Sequence, residues 1–202
     1  MRFSGFRVIR EALTGQKGWR PLWRDPAPQP AYDYIIVGGG GHGLATAYYL
    51  ANTFKQSRIA VLEKGWLGSG NIGRNTTIIR SNYLLPGNEP FYEFSMKLWE
   101  GLEQAFNFNA MVSQRGILNL IHTDGQRDAA RRRGNAMIFA GADAELLDQD
   151  GVRAMYPWLN FDNARFPIKG GLLQRRAGTA RHDGVAWGYA RGADMAGVDL
   201  IQ

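Results

Sequence analysis

The sequence predicts an α/β fold, on three observations. Tyr34-Ile-Ile-Val37 is a short apolar run of the kind a fully buried parallel strand needs. It passes directly into Gly38, Gly40 and Gly43, spaced G-x-G-x-x-G, and then into Leu44-Ala-Thr-Ala-Tyr-Tyr-Leu-Ala51, rich in good helix formers and free of breakers. A second apolar run, Ile59-Ala-Val-Leu62, ends in Glu63, 20 residues beyond Gly43. Strand, glycine turn, helix, strand and acid in that order is the layout of a Rossmann-like unit that grips a dinucleotide.

Each residue of the turn has a physical task. Gly38 allows the tight turn, Gly40 lets the backbone approach a pyrophosphate, and Gly43 lets helix and strand pack closely. Gly41 and His42 lie inside the glycine turn as cofactor-binding candidates; the backbone N–H of His42 matters more than its ring, and the helix that follows faces the phosphates with its free N–H groups. Glu63 sits where a carboxylate accepts hydrogen bonds from the adenosine ribose. An acid there disfavours a 2′-phosphate, so NADP is not expected.

The rest of the chain, taken in order, supplies fewer strong signals. In residues 1–31, Phe6, Ile9 and Leu13 have helical spacing, and Gly18-Trp-Arg-Pro-Leu-Trp-Arg-Asp-Pro26 reads as an extended arm whose two tryptophans seek a surface to cover. No apolar core of signal-peptide length occurs there. Gly65 to Asn82 mixes glycines with Asn71, Arg74, Asn75, Thr76 and Thr77, a composition suited to wrapping donors round a polar ligand. Phe91, Phe94, Leu98, Leu102 and Phe106 form the apolar stripe of an amphipathic helix over 88–106, expected to face a core. Residues 112–122 read as a strand. Asp124 is expected to cap a polar helix reaching Ala140, and Asp148 or Asp150 another ending before Pro157. Asp183 is expected to cap a last helix with Val185, Ala186, Tyr189, Ala190 and Ala193 on one face. Val198 to Ile201 begin a strand, and a sheet of this type needs more strands than these, so a longer polypeptide is expected.

Composition narrows the function. With 45% hydrophobic and 21% charged residues the chain is globular, not disordered. No apolar run approaches the ~20 residues of a membrane span. The absence of cysteine excludes disulfides, thiolate metal sites and a catalytic thiol. It fits a reducing, cytoplasmic setting. The net charge of +6 raises nucleic acid as a partner, but the basic residues are scattered, and Arg131-Arg132-Arg133 reads as a solvated helix face. The three histidines are isolated, so no metal site is expected. His122 reads as structural. His182 stands beside Arg181 at a helix N-terminus, whose positive potential favours a neutral, nucleophilic imidazole; a functional and a structural role both remain open on the residues alone.

Several blocks together go further. Gly38-Gly-Gly-Gly-His-Gly43, Glu63-Lys-Gly65, Gly70-Asn-Ile-Gly-Arg-Asn-Thr-Thr77 with Arg80-Ser-Asn-Tyr83, Gln114-Arg-Gly116, Leu173-Gln-Arg-Arg176, Ala180-Arg-His-Asp183 and Val185-Ala-Trp-Gly188 closely resemble the β subunits of heterotetrameric sarcosine oxidases, over nearly the whole chain. The glycine turn alone suits any flavoprotein of glutathione-reductase type; the Asn-Thr-Thr and Arg-His-Asp blocks are specific.

The resemblance implies a Rossmann-like FAD-binding domain of glutathione-reductase type with part of a mixed-sheet substrate domain. The expected divisions are an arm over 1–31, the FAD-binding part over 32–106, substrate-domain residues 107–170, and a return to the FAD domain over 171–202. It implies oxidation of sarcosine to glycine, with the methyl carbon released as formaldehyde or carried on tetrahydrofolate, and oxygen reduced to hydrogen peroxide. It implies non-covalent FAD contacted by His42, Gly43, Glu63, Asn71, Thr76 and Ile78, and FMN attached through its 8α-methyl to His182. It also implies α, γ and δ partner subunits. Some relatives carry a second histidine where this chain has Gly184, and the family's oxygen-activating lysine and most of the substrate-carboxylate site fall outside these residues. An FAD-only oxidase of the D-amino acid oxidase family, and a non-catalytic flavin-binding fragment, are the other expectations.

Overall fold

A computed structural model describes residues 4–19, 21–55, 57–83 and 87–202. In chain order the elements are α1 (Gly5–Leu13), β1 (Tyr34–Val37), α2 (Gly41–Thr53), β2 (Ile59–Leu62), a 3-10 turn (Asn71–Arg74), β3 (Ile78–Ile79), α3 (Glu89–Phe106), β4 (Ile117–Ile121), α4 (Asp124–Phe139), β5 (Glu145–Asp148), α5 (Gln149–Met155), β6 (Gly170–Gln174), β7 (Gly178–Thr179), α6 (His182–Met195) and β8 (Asp199–Ile201). They fall into two compact units, Met1–Ser69 with Tyr189–Gln202, and Gly70–Gly188.

The first unit holds the predicted strand–turn–helix–strand. β1, β2 and β8 form a parallel sheet with β2 in the middle, Tyr34 opposite Ile59 and Ala60 opposite Asp199. Ile59, Ala60 and Val61 of β2 are buried, as an apolar run in a central parallel strand should be. β1 departs from the expectation of full burial: Ile35 is 58% and Val37 85% exposed. The reason is topological. β1 is an edge strand among the described residues, so the apolar run reports its chemistry and not its place in this sheet.

Helix α2 buries Leu44, Ala47 and Ala51, and its Tyr48 and Tyr49 meet Tyr189 of α6 edge-on, with centroids 5.8 and 6.0 Å away. The N-terminal arm is tied down by side chains. Arg24 donates to Asp194 at 2.7 Å and to the Val198 carbonyl at 2.9 Å, while Gln29 and Tyr32 both donate to the buried Asp199 carboxylate. α1 forms at the predicted spacing, but Phe6, Ile9 and Leu13 face outward. Its buried residue is Glu11, which accepts from the Gly18 N–H and Arg10.

The second unit is built on an antiparallel sheet in the order β4-β6-β5, with every residue of β6 buried. α4 contributes Met137 to a core with Ala142 and Leu172. α5 contributes Val152 to another with Phe161 and Ile168, against Leu118, Leu120 and Leu147. β3 and β7 pair antiparallel, and Ser113 bridges to Thr179 on the far side.

Several boundaries differ from the sequence expectation. The strand expected over 112–122 is regular only from Ile117 to Ile121. Thr123, not Asp124, caps α4, because Gln126 completes a capping box with it. Asp148 caps α5, as one of the two candidates. α6 begins at His182, one residue before the expected cap Asp183, and its first intrahelical hydrogen bond runs from the Val185 N–H to the Arg181 carbonyl. The helical face of Val185, Ala186, Tyr189, Ala190 and Ala193 is buried. In α3, Leu102 and Phe106 are buried but Phe91 and Phe94 are exposed; Met96 takes the core position on the first turns instead. The arginine run of α4 is exposed, with Arg133 donating to the Asn82 carbonyl at 2.9 Å.

Candidate functional site

The first candidate site is the glycine turn between β1 and α2. Gly38 has φ +107°, a backbone open to glycine at little cost, and its N–H donates to the Leu62 carbonyl at 2.8 Å. A side chain on Gly43 would place Cβ 2.0 Å from the Gly38 carbonyl oxygen, so close helix–strand packing requires glycine there. At Gly40 the opposite holds. Nothing lies within 4 Å of where its Cβ would be, and it precedes α2 as an N-cap with no side-chain capping bond. The helix therefore presents its N-terminal N–H groups, at Gly41, His42 and Gly43, beside open space. The His42 side chain is exposed.

Glu63 lies just past β2, and its own N–H donates to the Ile201 carbonyl. Its carboxylate accepts the Gly39 N–H at 2.8 Å and the Gly65 N–H at 2.9 Å. These two donors, Gly65 first, hold its carboxyl below the usual carboxylate range. The contact to Gly39 was not legible in the sequence: the acid braces the glycine turn itself. Each oxygen keeps acceptor capacity for a further donor.

Asn71, Thr76 and Ile78 belong to the second unit. Asn71 opens the 3-10 turn, Thr76 is exposed, and Ile78 lies in β3, 47% exposed. Asn75, one of the loop's amides, is turned inward on its own backbone: Oδ1 accepts from Thr77 N–H at 2.6 Å and Nδ2 donates to the Ile72 carbonyl at 2.8 Å.

His182 is the first residue of α6 and follows β7 by two residues. It lines a cleft of about 590 Å³ with Thr77, Met111, Ser113, Thr179 and Asp183, within the size range of small-molecule sites. Its Nδ1 is buried without a hydrogen-bond partner. Beside it, Asp183 accepts from Arg181 Nε and from the Gly184 N–H, both at 2.8 Å, and the guanidinium holds its carboxyl below the usual range. His122 is different: its Nδ1 lies 3.1 Å from the Pro167 carbonyl, a structural contact. The structure thus gathers Gly38, Gly40, Gly41, His42, Gly43 and Glu63 in one unit, and Asn71, Thr76, Ile78 and His182 in the other. Among the described residues, no three His, Cys, Asp or Glu side chains cluster as metal ligands, and no helix is long and apolar enough to cross a membrane.

Residues 33–202 match the FAD dependent oxidoreductase family (DAO). The chain belongs to this family. Sarcosine oxidase subunit beta of Rhizobium meliloti (strain 1021) is 71% identical over 202 residues, covering 100% of this chain and 49% of that protein. Sarcosine oxidase subunit beta of Rhodobacter capsulatus is 47% identical over 201 residues, again 100% of this chain and 49% of the relative. Among solved structures, L-proline dehydrogenase from P. horikoshii shares the fold with a TM-score of 0.78 at 22% identity, over 87% of this chain and 45% of that one. The chain spans about half the length of the curated relatives it matches.

The residues of the first unit fit the family's FAD. The open space at Gly40 and the uncapped start of α2 suit a diphosphate, and Glu63 suits a ribose. Bound FAD would supply a two-electron acceptor, and the turn, the helix end and Glu63 are the residues that would hold it. Glu63→Gln keeps the shape but halves the acceptor capacity facing Gly39 and Gly65. FAD affinity measured by equilibrium dialysis is expected to fall about tenfold. Because the carboxyl is held low, wild-type affinity should stay flat as pH falls through the ordinary glutamate range and drop only below it. Wild-type affinity in Glu63→Gln would contradict this assignment.

Proposed function

We propose that the chain forms the cofactor-bearing half of the β subunit of a heterotetrameric sarcosine oxidase, acting in the cytoplasm with α, γ and δ subunits. The reaction oxidises sarcosine to glycine, with the methyl carbon passing to formaldehyde or tetrahydrofolate and oxygen to hydrogen peroxide. Identity of 71% to a sarcosine oxidase β subunit, sustained across all 202 residues, is the observation that carries this reading.

In this reading the first unit binds FAD without a covalent bond through Gly38, Gly40, Gly41, His42, Gly43 and Glu63, with Asn71, Thr76 and Ile78 supplying further contacts. His182 carries FMN covalently. The half-buried imidazole on the wall of a cleft supports that role, since a side chain there can meet a bound flavin. Bound FMN supplies the electron outlet to oxygen. The lysine and carboxylate-binding groups that act on sarcosine are assigned to the half of the β subunit beyond this chain.

The test is acid precipitation of the assembled enzyme. Wild-type protein should give a yellow pellet holding FMN and a supernatant holding FAD. His182→Asn should give a colourless pellet while the supernatant keeps its FAD. Flavin persisting in the variant pellet would overturn the attachment assignment. Complete release from wild type would favour the FAD-only oxidase.

A further inference from the structure

Two residues that line the His182 cleft, Thr77 and Met111, have left-handed backbones, φ +62° and +54°, though neither is glycine. Such conformations cost free energy and persist only where surrounding structure holds them. Both are held in the same way. The N–H of each strained residue donates to the side-chain oxygen of an asparagine two positions earlier: Thr77 to Asn75 at 2.6 Å, Met111 to Asn109 at 2.8 Å.

The two turns converge on the segment that delivers His182. The Thr77 carbonyl accepts the Ala180 N–H at 3.1 Å, and the Ala110 carbonyl, inside the second turn, accepts the Arg181 N–H at 2.9 Å. Just before them, Thr179 and Ser113 exchange hydrogen bonds at 2.8 and 3.0 Å. Three successive N–H groups, 179 to 181, are thereby fixed by loop carbonyls immediately ahead of the histidine. A reactive histidine is usually oriented by a hydrogen bond to its second ring nitrogen. Here Nδ1 has no such partner, so the backbone bears the task of placing the ring.

We propose that Asn75 and Asn109 are positioning residues for flavin attachment at His182, acting by holding two left-handed turns that clamp the backbone leading to it. This rests on the covalent FMN reading above. Attachment joins an imidazole nitrogen to the flavin 8α carbon. The N–H proton and one 8α hydrogen are lost, the ring is left two-electron reduced, and oxygen reoxidises it to give hydrogen peroxide. Its rate depends on the nitrogen standing within reach of that carbon, so loosening the clamp should slow bond formation.

The experiment follows acid-stable flavin over time in the assembled enzyme supplied with FMN, alongside FAD content and melting temperature, with His182→Asn as the control. Asn109→Ala is expected to slow attachment about tenfold with FAD content unchanged, and Asn75→Ala to slow it by a similar factor. Glycine needs no help to be left-handed, so Asn109→Ala combined with Met111→Gly should restore the wild-type rate, as should Asn109→Asp, which keeps the acceptor oxygen. Should Asn109→Ala fail to fold, the double variant and Asn109→Asp carry the test. A folded double variant that attaches slowly, or wild-type attachment in a folded Asn109→Ala, overturns the proposal. If His182→Asn itself retains acid-stable flavin, the FMN reading fails instead, and the two failures are told apart.

Discussion

Gly43→Ala is expected to abolish recovery of FAD-bound protein, whereas Gly40→Ala, three residues away, is expected to fold normally and lose only the dinucleotide. Both positions accept alanine conformationally: Gly40 has an extended backbone at φ −85°, ψ −176°, and Gly43 lies within α2. The difference is contact. A Cβ on Gly43 would sit 2.0 Å from the Gly38 carbonyl oxygen and 3.3 Å from Ile36 Cγ2. The Gly38 carbonyl is backbone and cannot yield as the far end of a flexible side chain can, so helix and strand must part, at a cost of roughly 4 kcal/mol or more. A Cβ on Gly40 meets nothing within 4 Å. It instead fills the space a diphosphate needs, and FAD affinity should fall about 100-fold, ~2.7 kcal/mol, at an unchanged melting temperature of the apoprotein. Differential scanning fluorimetry and FAD titration separate the two effects. Wild-type FAD affinity in Gly40→Ala would show that the diphosphate does not approach the turn there.

That contrast also marks how much of the molecule its sequence disclosed. The strand–turn–helix–strand unit was legible because every part of its signal is local: an apolar run, three glycines at fixed spacing, and an acid at the end of the next run. Where the deciding interaction is one residue away from a plausible alternative, the sequence alone could not choose. Thr123 and Asp124 are both good caps, and only the reciprocal bond to Gln126 selects the threonine. β6 was not legible because Gly170-Gly-Leu-Leu-Gln174 has neither alternation nor β-branched residues; its place in the middle of a sheet comes from its partners on both sides. β3 and β7 are two residues each, too short for any period. At the candidate sites the types were readable but not the second tasks. Glu63 was read as a ribose acceptor and not as a brace for Gly39. Asn75 was read as a donor toward a ligand, yet its amide is engaged by Thr77 and Ile72. Asn109 gave no signal at all, since an asparagine two residues before a left-handed methionine looks like any loop.

Arg176→Met is expected to destabilise the second unit while leaving the backbone alone. One guanidinium serves two carboxylates, Glu93 through Nη1 and Glu100 through Nε, both at 2.8 Å. Glu93 also accepts from Ser81, which in turn accepts from the buried Gln174. Methionine fills much of the volume but strands two acids, one of them with a side chain only 15% exposed. Loss of a fully buried partner costs more than this; with Arg176 itself about a third exposed, solvent screening reduces the expected loss to about 2 kcal/mol, a fall in melting temperature of roughly 4–8 °C for a chain of this size. The loss should depend on pH in a defined sense. The Arg176 hydrogen bond is the chief reason the Glu100 carboxyl lies below its usual range. A group with a depressed folded pKa stabilises fully above the ordinary carboxylate range and loses that contribution as pH falls through it toward the folded value. Wild type and Arg176→Met should therefore differ most near neutrality and converge as pH drops below about 4. A gap in melting temperature that stays constant across that range would mean that packing of the arginine stem, and not the shared charge, holds α3 to the segment after β6.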